Sequence, residues 1–524
     1  MLVSTNLYPG HSPVTLQVFP DLTIQGTSGP ANVINFLGLK YASISARFRE
    51  AVPTGSLKTH TGEIDATQYG PRCAQWVMPA LDSVQESFSG YNPPSKLPDS
   101  EFDCFVVNVY TPPDGLQKNE RLLPVLVQIH GGALSLGDGN SMADGNALVR
   151  HGIDHGKPFI FASFNYRLGL FEFLNSDELV NDAKTQRETG YRCLGFHDQR
   201  LALHWIQENI HLFGGDSQNI TVAACHYHVA AKLAFSNPRK AQEKFNEYVF
   251  RCSLPLSTSA EAKIEALRHA SVEQMVALLG HPAVSATYDE SFFGSKYEGL
   301  TCEQMRTHSW LGKLVVGWTK DEMALWSLVW RKLNTSQIIA KITSTVPDPD
   351  FAEEILSSYG FSEEMEDAAA LQQMIQLGTD SLFTGPPLLT AKLSPGPVSV
   401  YRFDEIDMDP ESKMKGYSPH GFDCNSFFRL PSAVGPTAST SARKTADAMA
   451  DMVFDITYDQ EPWLSMETTN DVPKFQPMVF RDGLSGPYPI DGLDRVARLT
   501  SDQRRHDMFT EIGHLFVATS SIFG

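Results

Sequence analysis

The chain has 524 residues, is 42% hydrophobic and carries a formal net charge of −19. That length can bury a substantial core, while so acidic a surface repels phosphate backbones and excludes nucleic acid as an expected partner. The longest apolar runs, such as residues 122–129, fall far short of the roughly 20 residues that a membrane-spanning helix needs, so no span is expected.

The first twelve residues hold no basic stretch followed by an apolar one, which predicts no secretory signal and a cytoplasmic location; a misplaced N-terminus would make the protein secreted. Apolar, β-rich runs at 124–129, 159–164, 220–223, 314–316 and 398–403 read as buried strands, and 198–209 and 261–267 show helical spacing. Residues 445–454 predict another helix. The alternation implies a mostly parallel sheet with helices on both faces. No linker or charge run separates two cores, so residues 1–524 read as one domain.

Several short segments stand out in chain order: Asn35-Phe36-Leu37-Gly38-Leu39-Lys40-Tyr41-Ala42, Ser100-Glu101-Phe102-Asp103-Cys104, Asn108-Val109-Tyr110-Thr111-Pro112 and Ile129-His130-Gly131-Gly132-Ala133. Asn165-Tyr166-Arg167-Leu168-Gly169 and the run from Leu194 to Gln207 follow. Together they resemble the type B carboxylesterase/lipase family, the cholinesterase-like α/β-hydrolases, and its fungal members in particular. The resemblance implies an α/β-hydrolase fold and the hydrolysis of small-molecule carboxylic esters with no cofactor and no metal. By analogy with fungal members it implies secondary metabolism or detoxification.

Ester hydrolysis in that fold uses a nucleophile, a histidine to move its proton, a carboxylate to orient the histidine and backbone N–H groups to hold the oxyanion. In the order nucleophile, acid, histidine, the resemblance implies Glu322 as the acid and His420 as the histidine, with Met323 standing where the family usually has glycine. Gly132, Ala133 and Tyr227 correspond to the oxyanion donors. The nucleophile elbow, a GxSxG turn in the family, is replaced by Ala224-Cys225-His226-Tyr227-His228. Counting from Phe213 puts His226 at the serine position. Cys225 is an alternative nucleophile, since a thiolate paired with His420 would attack esters, but it sits one place early, where the family commonly has glutamate. Tyr227 replaces a small residue and would crowd the pocket.

Cys225, His226 and His228, with His130 and His420, invite a zinc reading. No pair has the i, i+4 spacing of a metalloprotease helix, and a tight turn sends successive side chains apart, so no metal is expected. Relative to the family, roughly 20 to 30 residues including a sheet strand are missing after the elbow, which would expose ladder groups on neighbouring strands. Two explanations stand: a frameshift or mis-joined coding segment between Val222 and Ser236, or a decayed or repurposed pseudoenzyme. As it stands the chain is expected to lack serine-type esterase activity. A non-hydrolytic enzyme using His226, His420 and Glu322 for proton transfer is the alternative, and a ligand-binding pseudoenzyme a further one.

Of seven cysteines, Cys73 and Cys104 match the family's first disulfide, whose loop closure contributes roughly 3 kcal/mol in an oxidising compartment. Cys252 matches one half of a second bridge, but its partner position is Ala266.

Overall fold

The computed structural model describes residues 12–29, 31–75, 97–116, 121–140, 143–224, 235–236, 238–279, 286–293, 312–393, 397–463, 477–487 and 490–518. Cys225, His226, Tyr227, His228 and Cys302 lie outside them.

Among the described residues eight strands make the main sheet, seven of them along one path: β1 (Ser12–Phe19), β2 (Leu22–Ser28), β3 (Ile34–Lys40), β4 (Val106–Thr111), β5 (Leu123–Ile129), β6 (Ile160–Phe164) and β7 (Gly215–Ala224). Their spatial order is β1-β2-β3-β4-β6-β5-β7, with the short strand Gly62–Asp65 beside β2. A second sheet runs β8 (Leu314–Thr319), β9 (Val398–Phe403), β10 (Met478–Arg481) and β11 (Leu484–Pro487) in that order.

The sheet is mixed rather than mostly parallel. β1 through β4 pair antiparallel, as does β4 with β6; the short connections from β1 to β2 and from β2 to β3 let each strand return beside its predecessor, whereas β4 reaches β3 only after a long excursion. Within these two sheets the parallel ladders join β5 with β6 and β7, β8 with β9, β9 with β10, and the short strand with β2. β7 begins earlier than its apolar residues predict, since Gly215 already pairs with Leu123.

The apolar runs bury both faces. Val125, Val127, Ile129, Ile160, Ala162 and Phe164 join Trp205 and Ile206 of α1 (Leu194–Asn209) in one core cluster. Leu126 and Phe161 point the other way, to Met449, Val453 and Phe454 of α2 (Thr440–Thr457). This is the period-2 alternation of a strand covered on both sides. The Ser439 hydroxyl accepts from the Ala442 N–H and caps the start of α2.

α2 packs on β5 and β7 of the first sheet and on β10 and β11 of the second, and its cluster also takes in Phe403 of β9 and Phe480 of β10. The two sheets therefore share one helical layer. Among the described residues, no strand pairs with the second edge of β7 or with that of β8. Only the first residue of β7 is buried, and the side chain of Val222 is 47% exposed.

Cys73 and Cys104 are joined by a disulfide, with Cα atoms 4.8 Å apart. Cys193 and Cys252 are outside that disulfide, as free thiols.

Candidate active site

In parallel sheets the chemistry gathers beyond the carboxyl ends of the strands, and the loops leaving β5, β7, β8 and β9 carry the candidate residues. β8 and β9 run in parallel register, with Thr319 opposite Phe403. The Lys320 N–H donates to the Phe403 carbonyl, and so does the Ser418 hydroxyl, both at 2.9 Å. Asp321 and Ser418 exchange two bonds, the Asp321 N–H to the Ser418 carbonyl and the Ser418 N–H to Asp321 Oδ2, each 2.9 Å. The two loops are thus stitched together one residue before Glu322 and two before His420.

Glu322 opens a 3-10 turn, Glu322–Trp326, and is 4% exposed. Its Oε1 accepts the Thr319 N–H at 2.7 Å, and its Oε2 lies 2.6 Å from His420 Nδ1. A carboxylate only accepts, so Nδ1 carries the hydrogen and the imidazole lone pair falls on Nε2. The ring sits between Trp326 and Phe383, with centroids at 5.7 and 5.2 Å. Phe383 belongs to a π-helical turn, Asp380–Thr384, which sequence periodicity does not disclose. Asp380 in that turn is fixed by the Tyr359 hydroxyl at 2.7 Å and by Arg495 at 2.8 Å. Met323 belongs to the same frame: its N–H donates to Thr379 Oγ1 at 3.2 Å.

The oxyanion loop follows β5. Gly132 has φ +119°, and a Cβ built there would collide with the Leu136 carbonyl, so glycine is required. Ala133 and Leu134 follow at φ +52° and +61°, each a left-handed residue at a cost of roughly 1 kcal/mol. The loop is held by Ser135 and Leu136 N–H groups on the Gly132 carbonyl and by Gly169 N–H on the Leu134 carbonyl. Gln75 clamps Gly137 through two bonds. Among the described residues the N–H groups of Gly132 and Ala133 meet no acceptor.

His130 supports this loop. Its ring stacks on Tyr166 with centroids 4.4 Å apart, and the Tyr166 hydroxyl donates to its carbonyl. Among the described residues no group of three or more His, Cys, Asp or Glu side chains could hold a metal. Ile129 pairs in register with Ala224, so the oxyanion loop and the elbow segment leave adjacent parallel strands at the same level. The structure thus brings Glu322 and His420 into contact; His226, Tyr227 and Cys225 lie beyond the described end of β7.

The family profile described as "Carboxylesterase family" matches residues 21–226. The para-nitrobenzyl esterase of Bacillus subtilis (strain 168) is 30% identical over 376 residues, covering 65% of this chain and 68% of that protein. Secreted lipase 1 of Botryotinia fuckeliana (strain B05.10) is 33% identical over 217 residues, or 40% of this chain; the chain spans 36% of the lipase's length. A solved structure, "thermophylic PNB esterase", superposes with a TM-score of 0.68 at 21% identity, over 93% of this chain and 99% of that one. Its fold is the α/β-hydrolase fold described above. On these similarities, the chain belongs to the carboxylesterase family.

Proposed function

We propose that this protein is built to hydrolyse small-molecule carboxylic esters, with Glu322 and His420 as its acid–base couple and the N–H groups of Gly132 and Ala133 as oxyanion donors. The observation that carries the reading is the 2.6 Å contact between His420 Nδ1 and Glu322 Oε2. It fixes one tautomer and leaves Nε2 to take a proton from an attacking hydroxyl and return it to the leaving alcohol. The relatives named esterase and lipase support the same chemistry.

The nucleophile is the exception. His226 occupies the serine position by register, Cys225 precedes it, and the family match stops there. Together with the lack, among the described residues, of a strand on the outer edges of β7 and β8, this supports loss of a coding segment between Val222 and Ser236. The chain as it stands has no serine-type turnover. His226 opens a second reading, since two imidazoles and Glu322 could exchange protons in an elimination or isomerisation without a covalent intermediate.

Sequencing the transcript across residues 213–252, with turnover of short-chain aryl esters by the purified protein, tests both. An inserted strand and GxSxG turn would make this an ordinary serine esterase. The present sequence with no turnover and no labelling by a serine-directed phosphonate is the expected result if the loss is genuine. Turnover by the present sequence that vanishes in His420→Ala would overturn the inactive reading.

A further inference from the structure

We propose that Gln75 is a positioning residue of the oxyanion loop and that the Cys73–Cys104 disulfide anchors it, so that the order of the oxyanion donors depends on whether the two cysteines are joined. The inference rests on reading the N–H groups of Gly132 and Ala133 as those donors.

The chain from Gly131 to Gly137 closes on itself. Gly137 has φ +104°, and a Cβ built there would collide with the Gly131 carbonyl, so the two ends of the loop meet through glycine. Gln75 holds that closure from both sides of one residue. The Gly137 N–H donates to its Oε1 at 2.8 Å, and its Nε2 donates to the Gly137 carbonyl at 3.2 Å. The same Nε2 donates to the Cys73 carbonyl at 3.1 Å. One amide thus spans Cys73 and the base of the oxyanion loop. Gln75 is 7% exposed, and losing buried, directional bonds leaves polar groups unpaired, which makes the arrangement specific. Inside the loop, the Ser135 and Leu136 N–H groups close on the Gly132 carbonyl, immediately beside the two donors.

Cys73 is the fixed point of this arrangement. Both cysteines are buried, and Cys104 lies two residues before β4, so the disulfide ties the chain at Cys73 covalently to the central sheet. The other ties of this segment fall at or before Cys73. Asn140 donates to the Gly70 carbonyl at 3.2 Å and Asn165 to the Pro71 carbonyl at 3.0 Å, and Arg72–Cys73 pairs with Asp99–Ser100 over two residues. Beyond Cys73, among the described residues, the hydrogen bonds of Gln75 run only to Cys73 and Gly137. The path from sheet to donors is therefore β4, Cys104, Cys73, Gln75, Gly137 and the turn at Gly132.

The test is amide hydrogen exchange, read residue by residue, in the wild type, Gln75→Met, the double variant Cys73→Ala with Cys104→Ala, and all three changes combined. The informative amides are those of Ser135 and Leu136, which bond the Gly132 carbonyl and not Gln75; the amides of β6 report global stability. Gln75→Met keeps the length of the side chain and removes its hydrogen bonds, so exchange at Ser135 and Leu136 should speed about tenfold while β6 is unchanged. The cysteine variant should speed the same two amides. Combining the changes should add less than about twofold further, because both break one path. Exchange within about twofold of the wild type in Gln75→Met, or effects that multiply in the combination, overturns the proposal. Should the cysteine variant lose protection throughout β6, Gln75→Met decides alone, with Gln75→Ala in its place if that variant fails to fold. Exchange is read whether or not the chain turns over an ester, so failure here is separate from failure of the hydrolase reading.

Discussion

His420 and Glu322, 98 positions apart in the chain, meet in a 2.6 Å bond at the carboxyl ends of β8 and β9. The bond is inherited from the sheet: Thr319 and Phe403 are in register, and Asp321 and Ser418 lock the loops that follow. A charge-assisted bond of this length shifts its hydrogen strongly downfield. The expected observation is a downfield imidazole N–H resonance that disappears in Glu322→Gln and in His420→Ala. Its persistence in Glu322→Gln would assign Nδ1 to another partner.

Glu172 is a buried carboxyl with a measurable consequence for pH dependence. It is 2% exposed, and neither oxygen has a hydrogen-bond partner among the described residues. The nearest cation, Arg167, is 3.9 Å away and already forked onto Asp198 by two 2.8 Å bonds. Burial pushes the Glu172 carboxyl well above its usual range, Arg167 opposes this, and Asp198 adds to it. A raised native value means that the folded state holds a proton the unfolded state has released, so stability falls as pH rises from the ordinary glutamate range, about 4.3, towards the raised value. Glu172→Gln removes the titration. The melting temperature of the variant should therefore gain on the wild type between about pH 4 and pH 8, whereas a constant gap would show that Glu172 ionises normally.

The oxyanion loop stores strain at a position where glycine is absent. Ala133 at φ +52° pays a steric cost that glycine would not. Ala133→Gly should stabilise the protein by about 0.5–1 kcal/mol after the added freedom of the unfolded chain is subtracted. Gly132→Ala should destabilise by about 2 kcal/mol or more, since its Cβ meets the Leu136 carbonyl. Urea unfolding midpoints check both, and an unchanged midpoint for Ala133→Gly would mean that the loop is not held in the left-handed region.

Much of the parallel half of the fold was legible in the residues. The run at 398–403 is a strand with those bounds, and α1 extends the predicted 198–209 only at its start, where Leu194 and Gly195 carry no periodic signal. The antiparallel meander of β1 to β4 was missed because an α/β rhythm was read from the strands at 124–129 and beyond. Glu322 and His420 were found through short flanking motifs. The π-turn holding Phe383 against His420 is set by packing around Asp380 and Arg495, not by local propensity.

The outer edge of β7 has a solution consequence. Among the described residues β7 is the last strand of its sheet, and Val222 on it is 47% exposed. An exposed edge with an apolar side chain is a template for pairing with another chain. Val222→Lys should therefore lower self-association, measured by light scattering against concentration, while changing the unfolding free energy in urea by no more than about 0.5 kcal/mol, as expected at a solvated site. If the substitution instead costs several kcal/mol, as burying an unpaired charge does, Val222 is covered by the rest of the chain. An uncovered edge and a covered one make opposite demands on this one side chain.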